Sequence, residues 1–375
     1  MNLRLMQPRE LAEAAKLADS IFRDGEQSSM GEAFPDLFSP GISHSYGAFT
    51  EEGRLVAFMG LAPAVLRVGP ARLRIFSMGA VCTLAEARGQ GIGSRLLDLC
   101  KTHADAAGAA LILISGDRSL YTRAHCCPFG RTERFTLEAS AAPRLKHRSG
   151  AGALHISELQ PADLPAVHRL AEARSVAYEQ SITDLPRLLA AEAYAGCFKL
   201  AHRTLVAWSS DGSPAAYVVF AVPGTAAAAR KEPFALEWGG EPEAAALLFA
   251  EAPERFGLSS LGITAAWHEE ALLRLLHEAG LPSESGTNGG TLYLVNAGRL
   301  LEQAAPYWGE APLPSLSLTD DGLYRLTRDG EAEVLLSPDE LVRQLFDPGA
   351  AGSEAYGTLG LPVLPLPHAN GLNYI

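Results

Sequence analysis

The chain repeats itself once at long range. Gln7-Pro8-Arg9-Glu10-Leu11 returns as Gln160-Pro161-Ala162-Asp163-Leu164, and Leu17-Ala18 returns as Leu170-Ala171, all displaced by 153 residues. Proline with an acid two residues later, then apolar residues at helical spacing, is the start of an amphipathic helix. In both copies it follows a short strand, so Leu3 to Ala18 and Ile156 to Ala171 read as the same strand-to-helix unit. A period of this length is a whole domain, and it constrains the chain to a duplicated α/β scaffold. Each copy then offers a strand after a turn: Leu55 to Gly60 follows Gly53, and Ala216 to Phe220 follows Gly212-Ser213-Pro214. Leu261 to Ala266 and His268 to Ala279, stopped by Gly280, add a further strand and helix to the second copy.

The 375 residues accommodate two or three domains. Between the copies, 143–153 holds Pro143, Arg144, Lys146, His147, Arg148 and Gly150 without apolar periodicity, which reads as a linker with a solvated charge run. From Thr291 the texture changes to short strands and two helices. The second helix begins at Ser337 with Glu340 as its capping-box partner. The expected domains are therefore 1–142, 154–287 and a small α+β unit over 288–375. Its Pro362, Pro365 and Pro367 tail reads as an extended segment that docks.

Charge and cysteine content exclude several classes of function. Asp and Glu number 43 against 31 Lys and Arg, a net charge of -12, which opposes non-specific attraction to nucleic acid or anionic membrane. No secretory leader or membrane-length apolar run is read, so a cytoplasmic protein without stable membrane association is expected. Cys82, Cys100, Cys126, Cys127 and Cys197 form no CxxC and have no His pair at ligand spacing, which argues against structural zinc, a catalytic metal or a disulfide scaffold. Cys126-Cys127 reads as buried thiols, with reactivity the lesser alternative.

The segment that carries chemistry runs from Phe76 to Gly93. An apolar strand ends near Cys82, a bend follows, and Arg88-Gly89-Gln90-Gly91-Ile92-Gly93-Ser94 opens a helix bearing Leu96, Leu97, Leu99 and Cys100. Small residues there let a phosphate approach backbone N–H groups at the helix start, with Arg88 or Arg95 as cationic support. The GKS or GKT ending of a nucleoside-triphosphate loop is missing, and the glycines do not follow the dinucleotide pattern, which leaves nicotinamide redox chemistry a weak alternative. Coenzyme A is the better polyphosphate ligand.

Arg88-Gly89-Gln90-Gly91-Ile92-Gly93 resembles the acetyl-CoA signature of the GNAT N-acetyltransferase superfamily. Ala110 to Ser115 reads as the next strand, and Leu120-Tyr121-Thr122-Arg123-Ala124-His125-Cys126 resembles the family's Tyr-x-x-Leu-Gly-Phe segment, departing from it at Ala124, His125 and Cys126. The resemblance implies tandem GNAT-like domains with splayed mixed sheets, the second degenerate, followed by a sterol-carrier-like α+β domain, an order similar to the enhanced-intracellular-survival acetyltransferases. It implies a diphosphate on Arg88 to Ser94, an oxyanion held by backbone donors at Ala80, Val81 and Cys82, and Tyr121 as the acid that protonates the departing thiolate. It further implies that the carboxylate of Ile375 serves as the base.

Glu26, Glu32, Asp36 and His44 are weaker candidates for the base, and Phe34 to Phe38 reads as a rigid edge of the acceptor pocket. The implied activity is transfer of acetyl from acetyl-CoA to a primary amine of a small molecule or peptide. A non-catalytic acyl-CoA-binding or regulatory protein is the alternative, and the architecture resembled is compatible with a homo-oligomer.

Overall fold

Both copies of the repeated segment enter their helices through the same hydrogen bond. In the computed structural model, which describes residues 1–224, 228–327, 333–348 and 360–375, Gln7 donates its N–H to the Glu10 carboxylate at 2.8 Å, and Gln160 donates to Asp163 at 2.9 Å. A single 3-10 turn then leads into α1 (Leu11–Phe22) in one case and into the helix Leu164–Ala173 in the other. The proline fixes the first turn and the acid satisfies an orphan N–H. The described residues pack as two units. One contains Met1–Gly130, Asn288–Ala369 and Ile375; the other contains Arg131–Thr287 and Asn370–Tyr374.

In the first unit, β1 (Asn2–Leu5), β2 (Tyr46–Phe49), β3 (Leu55–Val68) and β4 (Ala71–Thr83) pair antiparallel in that order. The short helices α2 (Met30–Ala33) and α3 (Pro35–Phe38) lie between β1 and β2 in the chain. β5 (Leu111–Ile114) joins β4 in parallel, which requires a crossover, and α4 (Ile92–Ala106) provides it. Leu96, Leu97, Cys100 and Ala104 of α4 share a core with Met59, Leu61, Phe76 and Met78 of β3 and β4. The strand Thr291–Leu294 closes the far side of β5.

The final block does not separate into a sterol-carrier-like body of its own; Asn288–Ala369 is grouped with the first unit. Polar anchors explain this. From the helix Ala297–Trp308, Arg299 donates to the Ala109 carbonyl at 2.8 Å and Gln303 accepts the Arg74 N–H at 2.8 Å. The strands Ser315–Leu318, Tyr324–Thr327 and Val334–Leu336 form a small sheet, and Pro338–Phe346 starts at Ser337, whose hydroxyl accepts the Glu340 N–H. The tail is docked where it is described: Leu364 donates to the Leu345 carbonyl at 2.7 Å, and the Trp308 indole donates to that of Pro362 at 2.8 Å.

The second unit is a mixed sheet in the order Ser283–Gly286, Thr132–Glu138, Ser260–Ala266, Phe234–Gly240, Pro214–Pro223, Leu200–Trp208, His155–Glu158. Two expectations change here. Thr132–Glu138, expected in the first block, pairs antiparallel with Ser260–Ala266, because its alternation buries Phe135 and Leu137 in this core. The expected linker is largely the helix Ala142–Ser149, which ends at Gly150 with φ +58°. Leu145 is its anchor in the core beside Leu248, while Arg144, Lys146, His147 and Arg148 stay exposed.

Candidate functional site

The first unit's sheet opens at the C-terminal end of β4. Pairing with β5 runs from Ile75 opposite Leu111 to Met78 opposite Ile114, and Ser115 donates its N–H to the Met78 carbonyl at 3.1 Å. β4 continues to Thr83 while β5 has ended, so the parallel strands separate there. On its other edge β4 carries a bulge. Phe58 faces Cys82 and Gly60 faces Gly79, so Ala80 and Val81 oppose Met59 alone, and Ala80 takes φ +50°. A bulge leaves the extra residue out of the ladder and re-aims its backbone groups. Ala80 to Cys82 therefore stand where β4 is free of β5 and irregular against β3.

The turn after β4 holds itself. The Arg88 Nε donates to the Thr83 carbonyl at 3.1 Å, and Gln90 donates to that of Glu86 at 3.5 Å. Gly89 and Gly91 adopt φ +76° and +71°, the latter as the N-cap of α4 with no side-chain cap. A β-carbon at either position would meet nothing within 4 Å, so these glycines serve conformation and leave open space. The first-turn N–H groups of Ile92, Gly93 and Ser94 have no intrahelical acceptor, which is the geometry that receives an anion. A cavity of about 290 Å³ continues from Ser94 and Leu97 to Leu120 and His125. Lys101 borders it, donating to the Ala124 carbonyl at 2.8 Å with its ammonium 4.0 Å from the centre of the Tyr293 ring. Burial lowers the pKa of this lysine, which sequence reading had passed over.

Tyr121 sits in the short helix α5 (Ser119–Thr122) and is 6% exposed. Its ring lies where a β-carbon on Gly116 would come within 2.9 Å, so only glycine leaves it room. Burial pushes the phenol pKa up to about 12, so it keeps its proton at neutral pH. His125 takes φ +59° at the position of the family's glycine, and Cys126 is buried in the core with Tyr121, where the family has phenylalanine. Desolvation raises the Cys126 thiol to about 11 and the Cys127 and Cys82 thiols to about 12, which makes them inert at neutral pH.

The chain end comes to β4. A β-carbon on Gly79 would fall well inside 3.0 Å of the carboxyl carbon and oxygen of Ile375, and 3.1 Å from the Ser115 hydroxyl. Strand alternation points Gly79 away from Met78, and so away from the face that carries α4. Opposite it, a β-carbon on Gly60 would meet the Gly79 carbonyl at 2.6 Å and Leu37 of α3 at 2.7 Å. Gly60 and Gly79 thus form a backbone slot edged by Leu37, within the Phe34 to Phe38 segment. Asn288, 4% exposed, ties down the preceding tail by donating to the Pro367 carbonyl and accepting the Ala369 N–H, both at 2.8 Å. Gly60, Gly79, Gly116 and Asn288 are not singled out by the sequence. A glycine inside a strand is nevertheless a recognised sign of close backbone approach.

The other candidates lie in different settings. His44 Nδ1 shares a proton with His103 Nε2 at 2.8 Å, and Tyr46 meets His103 Nδ1 at 3.1 Å. Both histidines pack on Phe76, on the α4 face. Glu26 is exposed, Glu32 lies in the first turn of α2, and Asp36 lies in the first turn of α3. Among the described residues no three His, Cys, Asp or Glu side chains converge to hold a metal, and no helix is long and apolar enough to cross a membrane.

Residues 2–124 match the family profile described as acetyltransferase (GNAT) domain. No curated protein matches the chain. Solved structures with the same fold include a conserved protein of unknown function from Enterococcus faecalis, titled a probable N-acyltransferase, at 15% identity and a TM-score of 0.66, covering 90% of this chain and 85% of that one. Eis1 from Mycobacterium abscessus is 14% identical with a TM-score of 0.64, covering 97% and 98%. A GCN5-related N-acetyltransferase from Kribbella flavida is 15% identical with a TM-score of 0.60, covering 92% and 90%. The chain has the GNAT fold, with mixed α/β sheets resembling GNAT-like domains repeated in tandem.

Proposed function

We propose that the first unit is an acetyl-CoA-dependent N-acetyltransferase acting on a primary amine. The observation that carries this reading is the coincidence, at one end of β4, of a bulge, a separation from β5 and an uncapped glycine turn opening α4. The donor's diphosphate lies on the N–H groups from Gly89 to Ser94 with Arg88 pinning the turn, and its pantetheine arm follows β4 between the parted strands. The N–H groups around Val81 stabilise negative charge on the thioester oxygen as the amine attacks; such donors contribute on the order of 3 kcal/mol when correctly aimed.

The attacking nitrogen forms a bond to the acetyl carbon and the carbon–sulfur bond breaks. Tyr121 gives its proton to the departing sulfur, a role that needs a phenol protonated at working pH. The Ile375 carboxylate, at the neighbouring Gly79, takes the ammonium proton directly or through water. The second unit, without a counterpart of Arg88 to Gly93, takes no part in transfer. The terminal block, read from sequence as sterol-carrier-like, contributes the tail.

The test is steady-state and single-turnover thiol release with acetyl-CoA and a broad panel of amines, with product identified by mass. Acetylated amine is expected. Saturable acetyl-CoA binding without product across the panel would instead support the non-catalytic acyl-CoA-binding alternative.

A further inference from the structure

The second unit keeps the parted strands and replaces the chemistry around them. Phe234–Gly240 and Ser260–Ala266 run parallel but pair only at Phe234 with Gly262 and Ala235 with Ile263, so they diverge beyond. At the divergence lies a cavity of about 650 Å³, within the range of small-molecule sites. A fifteen-residue helix, Pro242–Phe256, starts beside it, yet that start is unsuited to phosphate. Pro242 lacks an N–H, Glu241 is the N-cap, and Glu243 lies in the first turn.

The cavity wall is charged from within. Arg174 lies 3.0 Å from Glu237, the two side chains being 20% and 9% exposed, and Tyr217 donates to the same carboxylate at 3.2 Å. Glu269 also lines the cavity; one of its oxygens accepts the Ala266 N–H at 2.7 Å. Burial raises its pKa, the mark of a carboxylate whose charge is incompletely offset. Two guanidiniums, Arg174 and Arg274, and three carboxylates, Glu241, Glu269 and Glu270, line the cavity, so its lining is net negative. His268 Nδ1, on a residue lining the same cavity, is shielded from solvent without a hydrogen-bond partner among the described residues, and the Trp238 indole faces Glu269, where it favours the charged carboxylate. Leu170, Val176 and Leu272 supply apolar wall.

We propose that this cavity binds a small organic cation, an ammonium group whose charge lies against Glu269 and whose apolar body fills the space beside Leu170, Val176 and Leu272. A cation adds positive charge to a lining that is net negative, and the partly buried Glu269 carboxylate recognises it through charge-assisted hydrogen bonds. The inference does not depend on acyl transfer by the first unit.

Calorimetric titration of the full chain with 4-phenylbutylammonium, against the uncharged isostere 4-phenylbutanol, tests it. The ammonium is expected to bind at least about tenfold more tightly than the alcohol, and Glu269→Gln to remove that preference. Arg274 lines the same cavity from an exposed helical position. Arg274→Gln removes a competing positive charge and is expected to tighten ammonium binding about threefold. Both substitutions lie in the second unit, so binding as an acceptor in the first leaves them without effect. Equal affinity for the two probes, no saturation by about 10 mM, or unchanged ammonium affinity in a folded Glu269→Gln protein overturns the proposal. If Glu269→Gln does not fold, unchanged or weaker ammonium binding by Arg274→Gln does so.

Discussion

Gly79→Ala tests the catalytic geometry with a single methyl group. The added carbon would fall well inside 3.0 Å of the Ile375 carboxyl group, against backbone atoms that have no rotamer with which to yield. Restoring ordinary van der Waals separation requires the carboxylate to retreat by at least about 1 Å. A misplacement of about 1 Å in a proton acceptor costs on the order of 100-fold in rate, or about 2.7 kcal/mol of transition-state stabilisation. The overpacking itself costs about 1–3 kcal/mol of stability. The diphosphate contacts proposed at Gly89 to Ser94 are untouched. Rapid-quench single turnover at saturating acetyl-CoA should therefore show transfer slowed about 100-fold, with the acetyl-CoA dissociation constant changed less than about threefold. A folded variant that transfers at the wild-type rate refutes the base assignment. A rate loss matched by an equal loss of acetyl-CoA affinity does so as well, because the damage would then lie in the donor slot.

Four further outcomes are expected. Tyr121→Phe should lower single-turnover transfer by about 100-fold with acetyl-CoA affinity nearly unchanged, read with a thiol reagent. Amidating the Ile375 carboxyl by protein semisynthesis, which keeps the side chain and removes the charge, should reduce transfer by at least about tenfold, whereas wild-type rates would assign the chain end to packing alone. Gly91→Ala, at φ +71°, should cost about 1–2 kcal/mol in urea unfolding and weaken acetyl-CoA severalfold by isothermal titration. In the second unit, burial depresses His202 to about 4, so the unfolded chain binds its proton first as pH falls. The resulting stability, on the order of 3 kcal/mol, is present above about pH 6.5 and lost towards pH 4; Gln at position 202 should flatten the urea-midpoint profile in that window.

Local pattern made some features legible and hid others. The repeated Gln-Pro-x-acid-Leu segment was readable because both hydrogen bonds that enforce it span three residues. The glycine turn was readable because positive φ and a helix start leave marks in adjacent positions. The destination of Thr132–Glu138 was not, since alternation fixes which residues are buried but not which sheet buries them. The charged run at 143–153 concealed a helix because a single buried apolar residue, Leu145, supplies its anchor. The Gly79 slot depends on Ile375, nearly three hundred residues away, and no local signal encodes that distance.

The two divergent strand pairs show what in this scaffold is structural and what is chemical. Each arises where a parallel pair stops bonding after a few residues, Met78 with Ile114 in one unit and Ala235 with Ile263 in the other, and each is followed by a fifteen-residue helix. That opening is a property of the backbone and was duplicated with it. The helix start is one determinant of which ligand such an opening could take, and the charges lining the opening are another. Gly89, Gly91 and Gly93 leave N–H groups exposed to an anion, whereas Glu241, Pro242 and Glu243 remove one donor and add negative charge. Exchanging Glu241-Pro242-Glu243 for Gly-Ile-Gly should therefore not by itself create a diphosphate site. Glu237 and Glu269 would still line or flank the second unit's opening, with Arg174 as their shared counter-charge. Acetyl-CoA affinity gained by that exchange alone would show that the helix start outweighs the buried carboxylates.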